Sequence, residues 1–331
     1  MLLPCPSLDI IGVTGSKGKT TTSKAITTVL TRAGVKVVEV GTDGISPLGK
    51  LNQITSDTTV VFELSSWRLE ALAKYNISPK TAVVTNIYRE HLNTYERFED
   101  YIEAKKVIVK YQSCDDNAIL NKDDDIVNSW EKDLKSFIHW YSLDDAPQDV
   151  TLAGGLQRQN LVPAMIIGGL RGLDEKTVLD AIASIEPLPH RLEPVREFND
   201  VRYINDSAAT MPDATIAALD ALGDESIVLI LGGSDKKLEF DELARKISAA
   251  NIRALVWLPG TATERMQQAI LVRNSATSVG TATMQEAVIE ARKLAEKNDV
   301  VLLSPGATSF GLFKHEFDRG DQFRSAVQDL K

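Results

Sequence analysis

The sequence predicts an α/β protein of two units, each a mostly parallel sheet with helices on both faces. Three observations predict it. Short apolar runs alternate with longer stretches of helical period along nearly the whole chain. The first apolar run leads straight into a glycine-rich turn and a helix, "DIIGVTGSKGKTTTSKAITTVL". A stretch with three prolines in ten residues, "IEPLPHRLEP" at 185–194, interrupts the alternation, which then restarts. Strands joined by helical crossovers pair in parallel, because a tight turn cannot return the chain to the same end of the sheet.

In chain order, "DIIGVT" (Asp9–Thr14) is apolar enough for a buried central strand, "GSKG" turns the chain, and helical period covers Lys19–Arg32. Strands follow at "VKVVEV" (35–40), "TTVVFEL" (58–64) and "TAVVTNI" (81–87), then a helix over 98–111. Strands "NAILN" (117–121) and "SFIHWY" (136–141) precede helices over 160–170 and 175–185. Beyond the prolines, "VRYINDS", "SIVLILGG", "RALVWLPG" and "DVVLLSPG" each end an apolar run in turn residues and lead into helical sequence. The expected domains are a phosphate-loop unit over 1–188 and a smaller Rossmann-like α/β unit over 189–331. No internal repeat or low-complexity segment is visible.

Composition bounds the function. With 37 basic and 46 acidic residues the net charge is −9, which argues against a nucleic-acid-binding surface. No apolar run approaches the roughly 20 residues of a bilayer span, and "MLLPCPSLDI" lacks the basic start of a signal peptide. The two cysteines, Cys5 and Cys114, lie far apart, so neither a disulfide framework nor a cysteine zinc site is expected. These features fit a reducing cytoplasm, with no nucleic-acid and no membrane partner expected.

The glycine turn suits a polyphosphate. A helix start offers free backbone N–H groups and the positive end of a dipole. Lys19 would reach the β- and γ-phosphates, and the Thr20 hydroxyl would suit Mg²⁺. The general pattern G-x-x-x-x-G-K-S/T puts its first glycine at position 13, which is Val13 here, so a plain strand-to-helix turn is the alternative. Glu63 ends an apolar run and would project at the carboxyl edge of the sheet, where ligands bind in such folds. A carboxylate there can complete Mg²⁺ coordination, or be an ordinary exposed strand end. His91 follows the next strand at the same edge and is otherwise a structural histidine. Lys105, read alone, belongs to a solvated "KK" face.

These residues in this order resemble the Mur ligase family, the ATP-dependent amide ligases of peptidoglycan precursor synthesis. "GVTGSKGKTTT" is similar to the family's phosphate loop, T-G-T/S-x-G-K-S/T, which needs no glycine at position 13. "HLNTYERFEDYIEAKK" resembles its His-to-Lys segment. "FELSSWRLE", "LPHRLE", "NDSAAT" and "LLSPGATSFGLFKHEFDRGDQF" resemble signatures of the branch that adds D-glutamate to UDP-N-acetylmuramoyl-L-alanine. The resemblance implies that Gly15, Ser16, Lys17, Gly18, Lys19, Thr20 and Thr21 cradle ATP. It implies Mg²⁺ at two sites, the first on Thr20 and Glu63, the second on His91 and a carbamylated Lys105, with Lys106 the alternative register. Asn160 would read adenine, Arg191 approach the phosphates and Asp206 the ribose side. Thr210, Lys236, Ser309 and Phe310 would hold D-glutamate. Lys19, Glu63, His91 and Lys105 would be the catalytic set, and the domains would close about the proline-rich stretch.

The sequence also departs from the family. Leu156 and Gln157 replace the His-Asn pair of H-N-x-x-N, Asp43 stands for an Asn, Ala208 for a Lys and Asn93 for an Asp. The phosphate loop begins within fifteen residues of the start, so the chain is expected to be a two-domain fragment with little activity alone. A folylpolyglutamate- or polyglutamate-type ligase, and a non-catalytic ATP-binding module, are the alternatives.

Overall fold

The computed structural model describes residues 8–41, 47–88, 95, 97–147, 158–186, 188–236, 238–272 and 276–331. The chain divides into two units, Met1–Ile185 and Glu186–Lys331. In the first, β1 (Asp9–Thr14) and α1 (Lys19–Arg32) are followed by β2 (Val37–Val40), β3 (Thr59–Glu63) and α2 (Ser66–Ala73). Then come β4 (Thr81–Val84), α3 (Phe98–Lys110), β5 (Asn117–Asn121), α4 (Asp125–Asn128), β6 (Phe137–Tyr141), α5 (Val162–Leu170) and α6 (Glu175–Ala183).

The six strands lie in the order β2-β3-β1-β4-β5-β6, all parallel. Successive side chains on a strand point to opposite faces, and this sequence is apolar on both. Ile11, Val13, Val61, Val83 and Ile119 pack against α1, α5 and α6. Val60, Phe62, Ala82, Val84 and Leu120 pack with α2 and α3 on the other side. The chain leaves β1 toward β2 on one side, and β4 lies on β1's other side. The strand order therefore reverses at β1, and the loop after it opens at the switch point of the carboxyl edge.

The second unit runs β7 (Glu193–Phe198), β8 (Val201–Asn205), α7 (Pro212–Leu222), β9 (Ile227–Leu231), α8 (Asp241–Ala249) and β10 (Ile252–Trp257). It continues with α9 (Thr263–Leu271), β11 (Thr277–Gly280), α10 (Met284–Leu294), β12 (Val300–Leu303) and α11 (Glu316–Gln328). Its sheet, β11-β10-β9-β12-β8-β7, is parallel except that β7 runs antiparallel to β8. Tyr203, Ile230, Val256, Val301 and Leu303 pack with α10 and α11, while Leu229, Leu231, Leu255, Trp257 and Leu302 pack with α7, α8 and α9. Because β12 inserts between β8 and β9, the loops after all three strands emerge side by side at one edge.

The elements differ from expectation where burial is one-sided or the element is short. Helix α2 is eight residues long, with the Ser65 hydroxyl accepting from Arg68 N at 3.4 Å; so short a helix shows little periodicity. Strand β11 is mostly exposed and lacks an apolar run, and β7 is an edge strand with Pro194 inside it. The helix expected over 160–170 begins as a 3-10 turn, Arg158–Leu161, before α5, which has proline in its first turn. Among the described residues no helix is long and apolar enough to cross a membrane.

Candidate active site

In the first unit the site is built around the β1–α1 loop. Parallel register sets Glu63 opposite Val13, so the carboxylate and the loop leave the sheet together. Val13 is fully buried; the cradle starts at Thr14, whose hydroxyl donates to Leu64 O at 2.6 Å. Two glycines let other groups approach the backbone. At Gly15 an added Cβ would overlap the Thr85 hydroxyl, and at Gly18, the left-handed N-cap of α1, it would overlap Asn160 Oδ1. The loop is tied to the end of β4: Ser16 N donates to Asn86 O at 2.8 Å and Lys17 N to Asn86 Oδ1 at 2.7 Å.

Lys19 curls over this loop, Nζ donating to Gly15 O and Ser16 O, each at 3.0 Å. The Thr20 hydroxyl donates to Glu63 Oε2 at 3.0 Å. That pair brings two oxygen ligands to a helix N-terminus. Mg²⁺ takes one or two protein oxygens there and completes its shell with phosphate and water, so the donor set fits the metal. Thr21 follows, half-buried, in the same first turn of α1.

Lys105 approaches the loop from α3. Its side chain is buried, with Nζ 2.9 Å from Gly15 O, 3.5 Å from Thr14 Oγ1 and 5.0 Å from the centre of the Tyr101 ring. Lys106 points elsewhere, pairing with Asp133 at 2.6 Å. Of the two lysines, only Lys105 faces the phosphate loop. Asn160 lies against Gly18, and its carbonyl accepts from Thr22 Oγ1 at 2.9 Å. His91, Asp43, Asn93, Leu156 and Gln157 lie outside the described residues.

The second unit brings its expected residues to the carboxyl edge of its own sheet. Asp206 follows β8; its carboxylate accepts from Ser304 Oγ at 2.8 Å and Leu192 N at 3.2 Å. Burial still raises it from 3.8 to about 7, against the lowering effects of these bonds and of Arg191 and Arg319. Arg191 is exposed, between His190 and Leu192, both at positive φ (61° and 42°). Thr210 lies on the same loop as Asp206, Lys236 is exposed after β9, and Phe310 is exposed after β12. Ser309 beside it is buried, and its hydroxyl has no hydrogen-bond partner among the described residues.

Several residues of these segments act beneath the surface, and sequence reasoning missed them. His190 packs on Gly320, where any Cβ would overlap its ring, and its Nδ1 is 3.0 Å from Asn205 Nδ2. Glu193 accepts from His190 N at 2.8 Å and from both Nε and Nη of Arg324 at 2.9 Å. Arg319 is fully buried, and that burial pulls it down to about 10. The signal was present: His190 and Glu193 lie in "LPHRLE" and Arg319 in "FKHEFDRGDQF", but a segment does not reveal which of its side chains turns inward.

The Mur ligase middle domain family matches residues 13–161, and the Mur ligase glutamate ligase domain family matches residues 190–306. The UDP-N-acetylmuramoylalanine–D-glutamate ligase of Roseiflexus sp. (strain RS-1) is 38% identical, over 98% of this chain and 77% of that relative. The chain belongs to the Mur ligase family. The ligase of the same name from Clostridioides difficile (strain 630) is 31% identical, over 97% of this chain and 75% of the relative. Among solved structures, the MurF ligase of Thermotoga maritima in complex with ADP superposes with a TM-score of 0.72 at 18% identity, covering 97% of this chain and 80% of that one. A pseudomurein peptide ligase type C from Methanothermus fervidus gives 0.70 at 18% identity, covering 98% and 79%. At that identity the likeness shows the fold. Mur ligases are ATP-dependent ligases of the peptidoglycan pathway that use Mg²⁺ and small-molecule substrates, and the Thr20–Glu63 pair lies inside the matched middle domain.

Proposed function

We propose that this chain joins D-glutamate to the carboxylate of UDP-N-acetylmuramoyl-L-alanine, with ATP as the energy source. The observation that carries it is the 38% identity, over 98% of the chain, to a ligase of that name. The geometry supports it: a lysine, a hydroxyl and a carboxylate converge on a helix N-terminus at the switch point.

The acceptor carboxylate oxygen forms a bond to the γ-phosphorus as the bond to the β-phosphate oxygen breaks, giving an acyl phosphate and ADP. The amine of D-glutamate then attacks the acyl carbon. Phosphate leaves, and the amine's proton passes to solvent. Lys19, released from the loop carbonyls, would hold the phosphates with the N–H groups of the first turn of α1. Thr20 and Glu63 would hold Mg²⁺, whose charge would offset that gathering on the transferred oxygens. His91 and carbamylated Lys105 would hold a second ion, since carbamylation turns an ammonium into an oxygen ligand. Asn160, Arg191 and Asp206 would face the nucleotide, and Thr210, Lys236, Ser309 and Phe310 the amino acid, whose two carboxylates call for a cation and short donors. This reading places the chain in the cytoplasm as a monomer.

The test is phosphate release from ATP with UDP-N-acetylmuramoyl-L-alanine, against D-glutamate and L-glutamate. Release that depends on D-glutamate is expected. Release with L-glutamate and a folate acceptor instead would overturn the assignment.

A further inference from the structure

The loops carrying the amino-acid side of the second unit are braced in two places. Ser234, after β9, pairs with Thr308, after β12, through backbone bonds of 2.9 and 3.3 Å. Arg319, in the first turn of α11, joins the loop after β8 to the loop after β12. Its Nε donates to Ser207 Oγ at 3.0 Å, one Nη to Ser207 O at 2.8 Å and the other to Ala307 O at 3.0 Å. The Ser207 hydroxyl passes the connection on to Glu316 O at 2.7 Å.

We propose that Arg319, by gripping Ser207 and Ala307 together, sets the spacing of the loops that carry Thr210 and Ser309 and so selects a dicarboxylic amino acid. This rests on the function proposed above. The guanidinium is fully buried, and the acceptors of its three bonds are neutral. Glu316 and Asp206 act on it through space. A charge buried on neutral acceptors is a costly strut compared with an apolar one of the same size. Two properties distinguish it from such a strut. The planar fork fixes two loops at a set distance, which a lysine cannot reproduce. The positive charge is bonded to the loops after β8 and β12, the ones that would receive a dianion. Ser309, two residues past the grip on Ala307, holds a buried hydroxyl with no partner among the described residues, placed to donate to an acceptor from outside the protein.

The experiment compares the full chain with Arg319→Lys and Ser207→Ala. It measures KM for D-glutamate, D-alanine and ATP, and, in parallel, uptake of radiolabelled D-glutamate by equilibrium dialysis with an ATP analogue, which needs no turnover. Arg319→Lys should weaken D-glutamate at least about tenfold, the worth of one charge-assisted hydrogen bond, and narrow its preference over D-alanine. The KM for ATP should stay within about twofold, the mark of a lesion confined to one substrate. Ser207→Ala, which removes one of the three acceptors, should shift D-glutamate the same way by about threefold. A lower kcat or melting temperature with D-glutamate affinity unchanged would show a purely structural strut and overturn the proposal. If Arg319→Lys has no cooperative melt, Ser207→Ala decides, and unchanged affinity there overturns it. If the parent chain takes up another amino acid instead of D-glutamate, the functional reading fails. The same variants are then compared on that amino acid, and an unchanged affinity would sink this proposal too.

Discussion

Lys105 and Lys106 are neighbours in sequence, yet one faces Gly15 O and the other Asp133. A step of one residue rotates a helix by about 100°, so the two cannot share a role. Lys105→Ala should lower ligation at least about 100-fold, the scale of losing a preorganised electrostatic group, whereas Lys106→Ala should leave it within about twofold. Initial rates with and without added bicarbonate test both, and full activity in Lys105→Ala would sink the second-metal assignment. Asp206 gives a prediction in pH. Its folded value, about 7, lies above its ordinary 3.8, so between these values the folded chain keeps a proton that the unfolded chain has released. Stability from this group is therefore greatest at low pH and falls as pH rises toward 7. Asp206→Asn should flatten that part of the melting-temperature profile, and an unchanged slope would refute it. That Glu63 shares a sheet edge with the phosphate loop was legible from alternation; that β3 lies beside β1 and brings Glu63 to Thr20 was not, since alternation does not fix strand order. The inward turns of His190, Glu193 and Arg319 were not, because they depend on contacts between segments more than a hundred residues apart, such as Glu193 with Arg324.

Among the elements, the β1–α1 join is the most constrained. Gly18 and Gly34 share φ of 81°, but a side chain at Gly18 would meet Asn160 whereas the space around Gly34 is open. Gly18→Ala should therefore cost more stability than Gly34→Ala, by about 1–3 kcal/mol, and should also weaken ATP binding. Urea unfolding of the two variants measures it, and equal costs would show that the approach of Asn160 does not matter. Strands buried on both faces, such as β1 and β9, were readable as continuous apolar runs. Helix α2 and strands β7 and β11 were not, since short length and one-sided exposure dilute any periodic signal.

At the scale of the whole molecule, the described hydrophobic clusters each stay within one unit. Two cores predict two components in calorimetric melting. Mg²⁺ and an ATP analogue should raise the one belonging to the first unit by about 2.7 kcal/mol at a hundredfold excess over Kd, and Thr20→Ala should remove the metal-dependent part. One indivisible transition would show that the cores do not melt separately. The two-unit layout was legible from a single proline-rich stretch; the antiparallel edge of the second sheet was not, because β7 has no apolar run to mark it as a strand ahead of the two-residue turn, Asn199–Asp200, that pairs it with β8. The division between the cores also bears on inheritance. Every residue proposed to recognise the amino acid is encoded after the break at Ile185, and the whole phosphate loop before it. A single genetic crossover in that short interval would carry the selectivity set across as one cassette, leaving the loop that handles phosphate untouched.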